Sequence, residues 1–194
     1  MVSGLPRSGT SMAMRMLDAG GVPVLTDGLR TADVSNPKGY YELEAVKGLD
    51  KNGDTAWLDA ARGKAVKIIS FLITFLPDTY DYRVIFMDRD LREVLASQNK
   101  MLLQRGEAPG TATDDERLRA AYEQHLLKIS RFLGSRRCFR VHRVSYAAAL
   151  RDPGGEARRI SAFLGRPLDI DAMASVADAG LYRNRSASME TPSA

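Results

Sequence analysis

Cysteine is nearly absent: Cys138 stands alone in 194 residues, so no internal disulfide can form and no pair of thiolates is present to hold a metal ion. That scarcity fits a reducing compartment and sets aside the disulfide-rich secreted scaffolds. Long apolar runs are missing too. The strongest, Ile68 to Leu76, is interrupted by Ser70 and Thr74 and is far shorter than the roughly 20 residues of a membrane-spanning helix. With no leader pattern ahead of a glycine-rich start, the chain is expected to be cytoplasmic, without a transmembrane segment. Repeats, low-complexity tracts and sustained heptads are also lacking, which excludes solenoids and coiled coils and leaves the oligomeric state open.

What is present is the composition of a soluble globular domain, with 44% hydrophobic and 27% charged residues. The formal net charge of +4 favours an anionic ligand without requiring one. Arg136, Arg137, Arg140 and Arg143 form the densest basic cluster, but aromatic residues do not interleave with basic ones as a stacking platform needs, so no nucleic acid partner is expected. From Asn184 onward few apolar anchors remain, which predicts a flexible tail over residues 184–194 after one compact domain over residues 1–183.

Strand and helix patterns alternate. Met1 to Ser3 reads as the end of a strand, and Ser11 to Ala19 as a helix with Met12, Met16 and Leu17 on its apolar side. Val22 to Leu25, Ala65 to Ile69, Arg83 to Met87 and Cys138 to His142 read as further strands; Phe71 to Leu76 reads as a helical turn stopped by Pro77. Glu42 to Leu49 is weakly helical; Leu91 to Arg105, Asp114 to Leu133 and Glu156 to Leu164 have clear helical spacing. The alternation predicts a three-layer α/β/α fold around a central parallel sheet. Only three residues precede Gly4, so the first strand is expected to extend upstream, and a longer chain to melt higher.

The sharpest motif is Gly4-Leu5-Pro6-Arg7-Ser8-Gly9-Thr10-Ser11, between a strand end and a helix start. Glycines let the backbone turn tightly around an anion, amides at the helix start point toward it, and Ser8, Thr10 and Ser11 add hydroxyls. The nucleotide-triphosphate loop G-x-x-x-x-G-K-[ST] demands lysine where this chain has Thr10, which removes the cation that neutralises β and γ oxygens in phosphoryl transfer. Here the cation is Arg7, earlier in the turn.

These residues resemble the 5′-phosphosulfate loop of sulfotransferases: Pro, a basic residue, Ser, Gly, then Thr or Ser. In that family an arginine after a central strand and a serine eight residues on, in the next helix, hold the donor's 3′-phosphate; Arg89 and Ser97 stand at that spacing. Val144-Ser-Tyr-Ala-Ala-Ala-Leu-Arg-Asp-Pro153 and Phe163-Leu-Gly165 are similar to a third family segment, with Tyr146 on the adenine side of the donor and Ala147-Ala148 replacing an acidic pair. Asn36-Pro-Lys-Gly-Tyr-Tyr-Glu42 and Leu181-Tyr-Arg-Asn-Arg185 resemble bacterial sulfotransferase-like proteins, with Arg183 or Arg185 closing over the phosphates.

The resemblance implies 3′-phosphoadenosine 5′-phosphosulfate (PAPS) as donor, its bisphosphate (PAP) as product, no metal, and a small-molecule or carbohydrate acceptor bearing a hydroxyl or amine. Arg7 becomes the electrostatic catalyst, because arginine is a poor proton donor. Glu42 is the preferred general base, with Glu44 behind it; Tyr40 and Tyr41 are pocket or anchor residues. His125 and His142 lie outside the family's base motifs, which points to surface or packing roles. Two rivals remain: a noncatalytic adenosine-bisphosphate-binding protein, and a small P-loop kinase or NTPase.

Overall fold

The computed structural model describes residues 1–28, 41–51 and 53–177. Its centre is β2 (Tyr82–Asp88), hydrogen-bonded in parallel to β1 (Val2–Gly4) on one side and β3 (Phe139–Ser145) on the other. Val84 to Met87 are all buried, the pattern of a strand covered on both faces. Beyond β1, parallel bridges from Val2 to Lys67 and from Ala65 to Val24 carry the sheet outward.

Helices cover both faces. Ile85, Met87 and Val144 pack with α1 (Thr10–Ala19), α5 (Tyr146–Arg151), α6 (Pro153–Leu164) and α7 (Ile170–Ser175). Val84 and Phe86 pack on the opposite face with Leu58 of α2 (Trp57–Ala60), the 3-10 turn Ser70–Phe75, and Ile129 and Leu133 of α4 (Ala112–Ser135). A smaller cluster joins Leu5 to Val94 and Leu95 of α3 (Leu91–Gln104) and Tyr122 of α4. The α/β/α expectation is met.

Local chemistry sets the helix ends. Asp90 accepts from the amides of Arg92 and Glu93 at the start of α3, and Thr111 and Asp114 form a reciprocal capping box on α4. The helix expected from Glu156 begins at Pro153, because Asp152 caps it and proline fits the first turn. The strands expected at Val22–Leu25 and Ala65–Ile69 are reduced to bridges. Pro23 has no N–H to give the ladder, and the chain leaves Ile69 directly into the 3-10 turn. The weakly helical segment Glu42–Leu49 holds a 3-10 turn, Glu44–Gly48.

Candidate functional site

The turn after β1 depends on two glycines. Gly4 has φ of 146°, and a Cβ there would lie 2.7 Å from the Met87 carbonyl oxygen, so only glycine lets the chain bend this close to β2. Arg7 follows at φ 69°, Ser8 N–H closes the turn onto the Leu5 carbonyl at 3.1 Å, and Gly9 at φ 103° leads into α1. No side chain caps α1. Its first-turn amides therefore converge where the helix dipole favours negative charge. Ser8, 1% exposed, holds a hydroxyl with no partner among the described residues, and Thr10 is also buried. Pro6 and Ser11 flank these positions at intermediate exposure.

On the β2 side the loop is tied at several points. Arg7 Nε donates to Ser97 Oγ at 3.0 Å, and the Arg7 carbonyl accepts from Arg89 at 3.1 Å. Ser97 lies two turns into α3, so an arginine at the end of β2 and a serine on the following helix meet at one loop residue. Arg89 Nε also donates to Glu93 at 3.0 Å, with both side chains nearly fully buried. The Arg89 guanidinium lies 4.3 Å from the centre of the Tyr146 ring, a cation-π contact. A Cβ on Gly9 would fall 2.5 Å from that ring, so the second glycine admits the tyrosine. Burial raises the Tyr146 phenol pKa, opposed by the positive charges of Arg89, Arg15 and Arg7. The Ala147-Ala148 segment is helical, with Ser145 capping α5 through the Ala148 amide.

On the opposite side of β1 the chemistry changes. Lys67, 8% exposed, bridges to β1 at Val2 and sets its ammonium 3.5 Å from Glu42. Glu42 also lies 3.9 Å from Lys47. Tyr41 is at φ 52° and donates to Asp18 of α1 at 2.9 Å; burial, followed by that carboxylate, pushes its pKa up to about 12. Tyr41 is thus an anchor between this segment and α1. One residue past Ile69, the buried Ser70 hydroxyl shares a 2.9 Å hydrogen bond with His125 Nε2, whose ring stacks on Phe71 with centroids 3.9 Å apart. Burial and then Lys128 lower the His125 pKa.

Arg7, Ser8, Gly9, Thr10 and Ser11 thus share one neighbourhood with Arg89, Ser97 and Tyr146, whereas Glu42 faces Lys67 across β1. Arg183, Arg185 and Tyr40 lie outside the described residues. Both histidines pack: His142 bonds Glu156 at 2.7 Å beneath Arg159. Lys67 escaped sequence reasoning; the available signal was a lone lysine inside Ala65-Val66-Lys67-Ile68-Ile69. Among the described residues no three His, Cys, Asp or Glu side chains gather as metal ligands.

A family model described as the sulfotransferase family matches residues 49–170, more than half of the chain. The match includes Lys67, Arg89, Ser97 and Tyr146; the loop at residues 4–11 precedes it. No curated protein matches the chain.

Proposed function

The chain belongs to the sulfotransferase family, and from that premise we propose that it moves a sulfuryl group from PAPS to a hydroxyl or amine of a small-molecule or carbohydrate acceptor. The observation that carries this reading is the meeting of Arg7, Arg89 and Ser97 at hydrogen-bond distance beside the uncapped start of α1.

The residues fit such a donor. Amides of residues 9–11, with the unpartnered buried Ser8 hydroxyl, suit the 5′-phosphosulfate. Arg89 and Ser97 suit the 3′-phosphate, and Arg183 or Arg185 is assigned to closing over it. When bound, the donor supplies an activated sulfuryl group with a phosphate as its leaving group.

The chain supplies position and charge. Arg7 holds a permanent cation at the loop, stabilising negative charge that builds on the leaving side. Glu42 takes the acceptor's proton as the new oxygen-sulfur or nitrogen-sulfur bond forms, and Lys67 orients that carboxylate. Tyr146 is assigned to the adenine side of the donor while its ring supports Arg89. A second reading, a noncatalytic bisphosphate binder, draws on the pairing of Glu42 with two lysines.

The test is a thermal-shift titration with adenosine 3′,5′-bisphosphate beside Mg-ATP. A ligand at a hundredfold its Kd adds about 2.7 kcal/mol, roughly 5 to 11 °C for a chain of this size. Stabilisation by the bisphosphate alone, abolished in Arg89→Ala, is the expected result. Stabilisation by Mg-ATP alone would replace the proposal with a kinase.

A further inference from the structure

The arginine cluster of the sequence takes no part in the site above. It lies along β3, where a groove of about 610 Å³ runs between that strand and the last turns of α4. Arg136, Arg137 and Arg143 line it together with Ser130, Phe139 and Val141, and no acidic side chain among the described residues does.

Two independent features meet there. The first is an open strand edge: β3 pairs only with β2 among the described residues. The Tyr82 amide donates to the Cys138 carbonyl at 2.7 Å. In a parallel ladder alternate residues face the partner, so 138, 140, 142 and 144 bond toward β2. Val141 and Arg143 then send their N–H and C=O groups outward, and both line the groove.

The second feature is charge. Arg143 is held in place by Asp88 at 3.0 and 3.1 Å and by Ser130 at 3.0 Å. Arg136 lies 3.8 Å from Asp78 and over the Phe132 ring, and Arg137 makes no ion pair with a described residue. The groove therefore carries arginines at both ends of an edge that no other described strand pairs, two of them held by carboxylates outside its lining.

We propose that β3 is a docking edge for an extended acidic segment of a partner polypeptide, which adds a strand to the sheet while its carboxylates meet Arg136, Arg137 and Arg143. Backbone bonds to Val141 and Arg143 set the register, and the arginines select the charge. A second copy docking through its own β3 is disfavoured, because it would bring arginines against arginines. The proposal does not depend on the donor.

Fluorescence anisotropy on the full chain tests it, with a labelled peptide alternating Glu and Val over about eight residues, an ordinary strand length. Saturable binding is expected, weakened about tenfold or more by Arg137→Glu and to a similar extent by a proline at the centre of the peptide. Arg137 is exposed, so the variant's melting temperature should match the parent's. Equal binding of the proline peptide would reduce the groove to a nonspecific charged patch and overturn the proposal. Displacement of the peptide by a tighter-binding heparin-type oligosaccharide would assign the groove to polyanionic sugars instead. Failure of every probe to saturate would mean that the arginines guard the edge against pairing.

Discussion

The two sides of β1 are built differently. Toward β2, Arg7, Ser97, Arg89, Glu93 and Tyr146 form a continuous set of short contacts around one loop residue. Toward the Ala65–Ile69 segment the contacts include Lys67 and Lys47 with Glu42, Tyr41 with Asp18, and Ser70 with His125. A fixed anion needs donors held in advance, and the first side has them.

The variant expected to show the largest effect is Glu42→Gln. If the second side holds the base, kcat falls about 10²- to 10⁴-fold in a sulfate-transfer assay while bisphosphate affinity stays the same. Unchanged turnover would remove Glu42 from the mechanism and leave the β2 side as the defined half.

Gly9→Ala attacks the first side directly. The methyl group meets the Tyr146 ring at a backbone angle that side chains avoid, costing about 2 kcal/mol, or roughly 4 to 8 °C in melting temperature. An unshifted melting curve would mean that the ring yields freely. A smaller effect separates Tyr146→Leu from Tyr146→Phe. Leucine removes the aromatic face beneath Arg89, worth about 1 kcal/mol or fivefold in bisphosphate affinity by calorimetric titration; phenylalanine keeps it.

The smallest expected effect is a pH dependence from the second side. Burial and Lys128 place the folded His125 pKa below 6.5, so the unfolded chain takes up the proton first as pH falls. Stability is full above the unfolded-state pKa and declines as the pH drops below about 6.5. His125→Gln should flatten that decline, read as denaturation midpoints at about pH 7.5 and about 5.5.

Legibility in the sequence followed the same division. The loop and the Arg89/Ser97 spacing are local patterns on one strand and the helix after it, so chain distance converts directly into position. The long helices α3 and α4 were legible from periodicity, and β2 from its apolar run. Lys67 and Glu42 are 25 residues apart and meet only through sheet packing, which no spacing rule encodes. Tyr146 was legible as an aromatic position, but its contact with Gly9 was not, because that contact joins the first and last thirds of the described chain. The short helices α2, α5 and α7 were missed: with four to six residues each, they show little periodicity and depend on tertiary contacts.

The uncapped start of α1 has a consequence for folding as well as for binding. Most helices bring their own first cap in the sequence, but this one enters through Gly9, which has no side chain to offer. On the proposed reading, an anion seated there stands in for a cap side chain by accepting from first-turn amides. On that reading the ligand completes the fold as a last residue would, and slowed hydrogen exchange along α1 records its arrival.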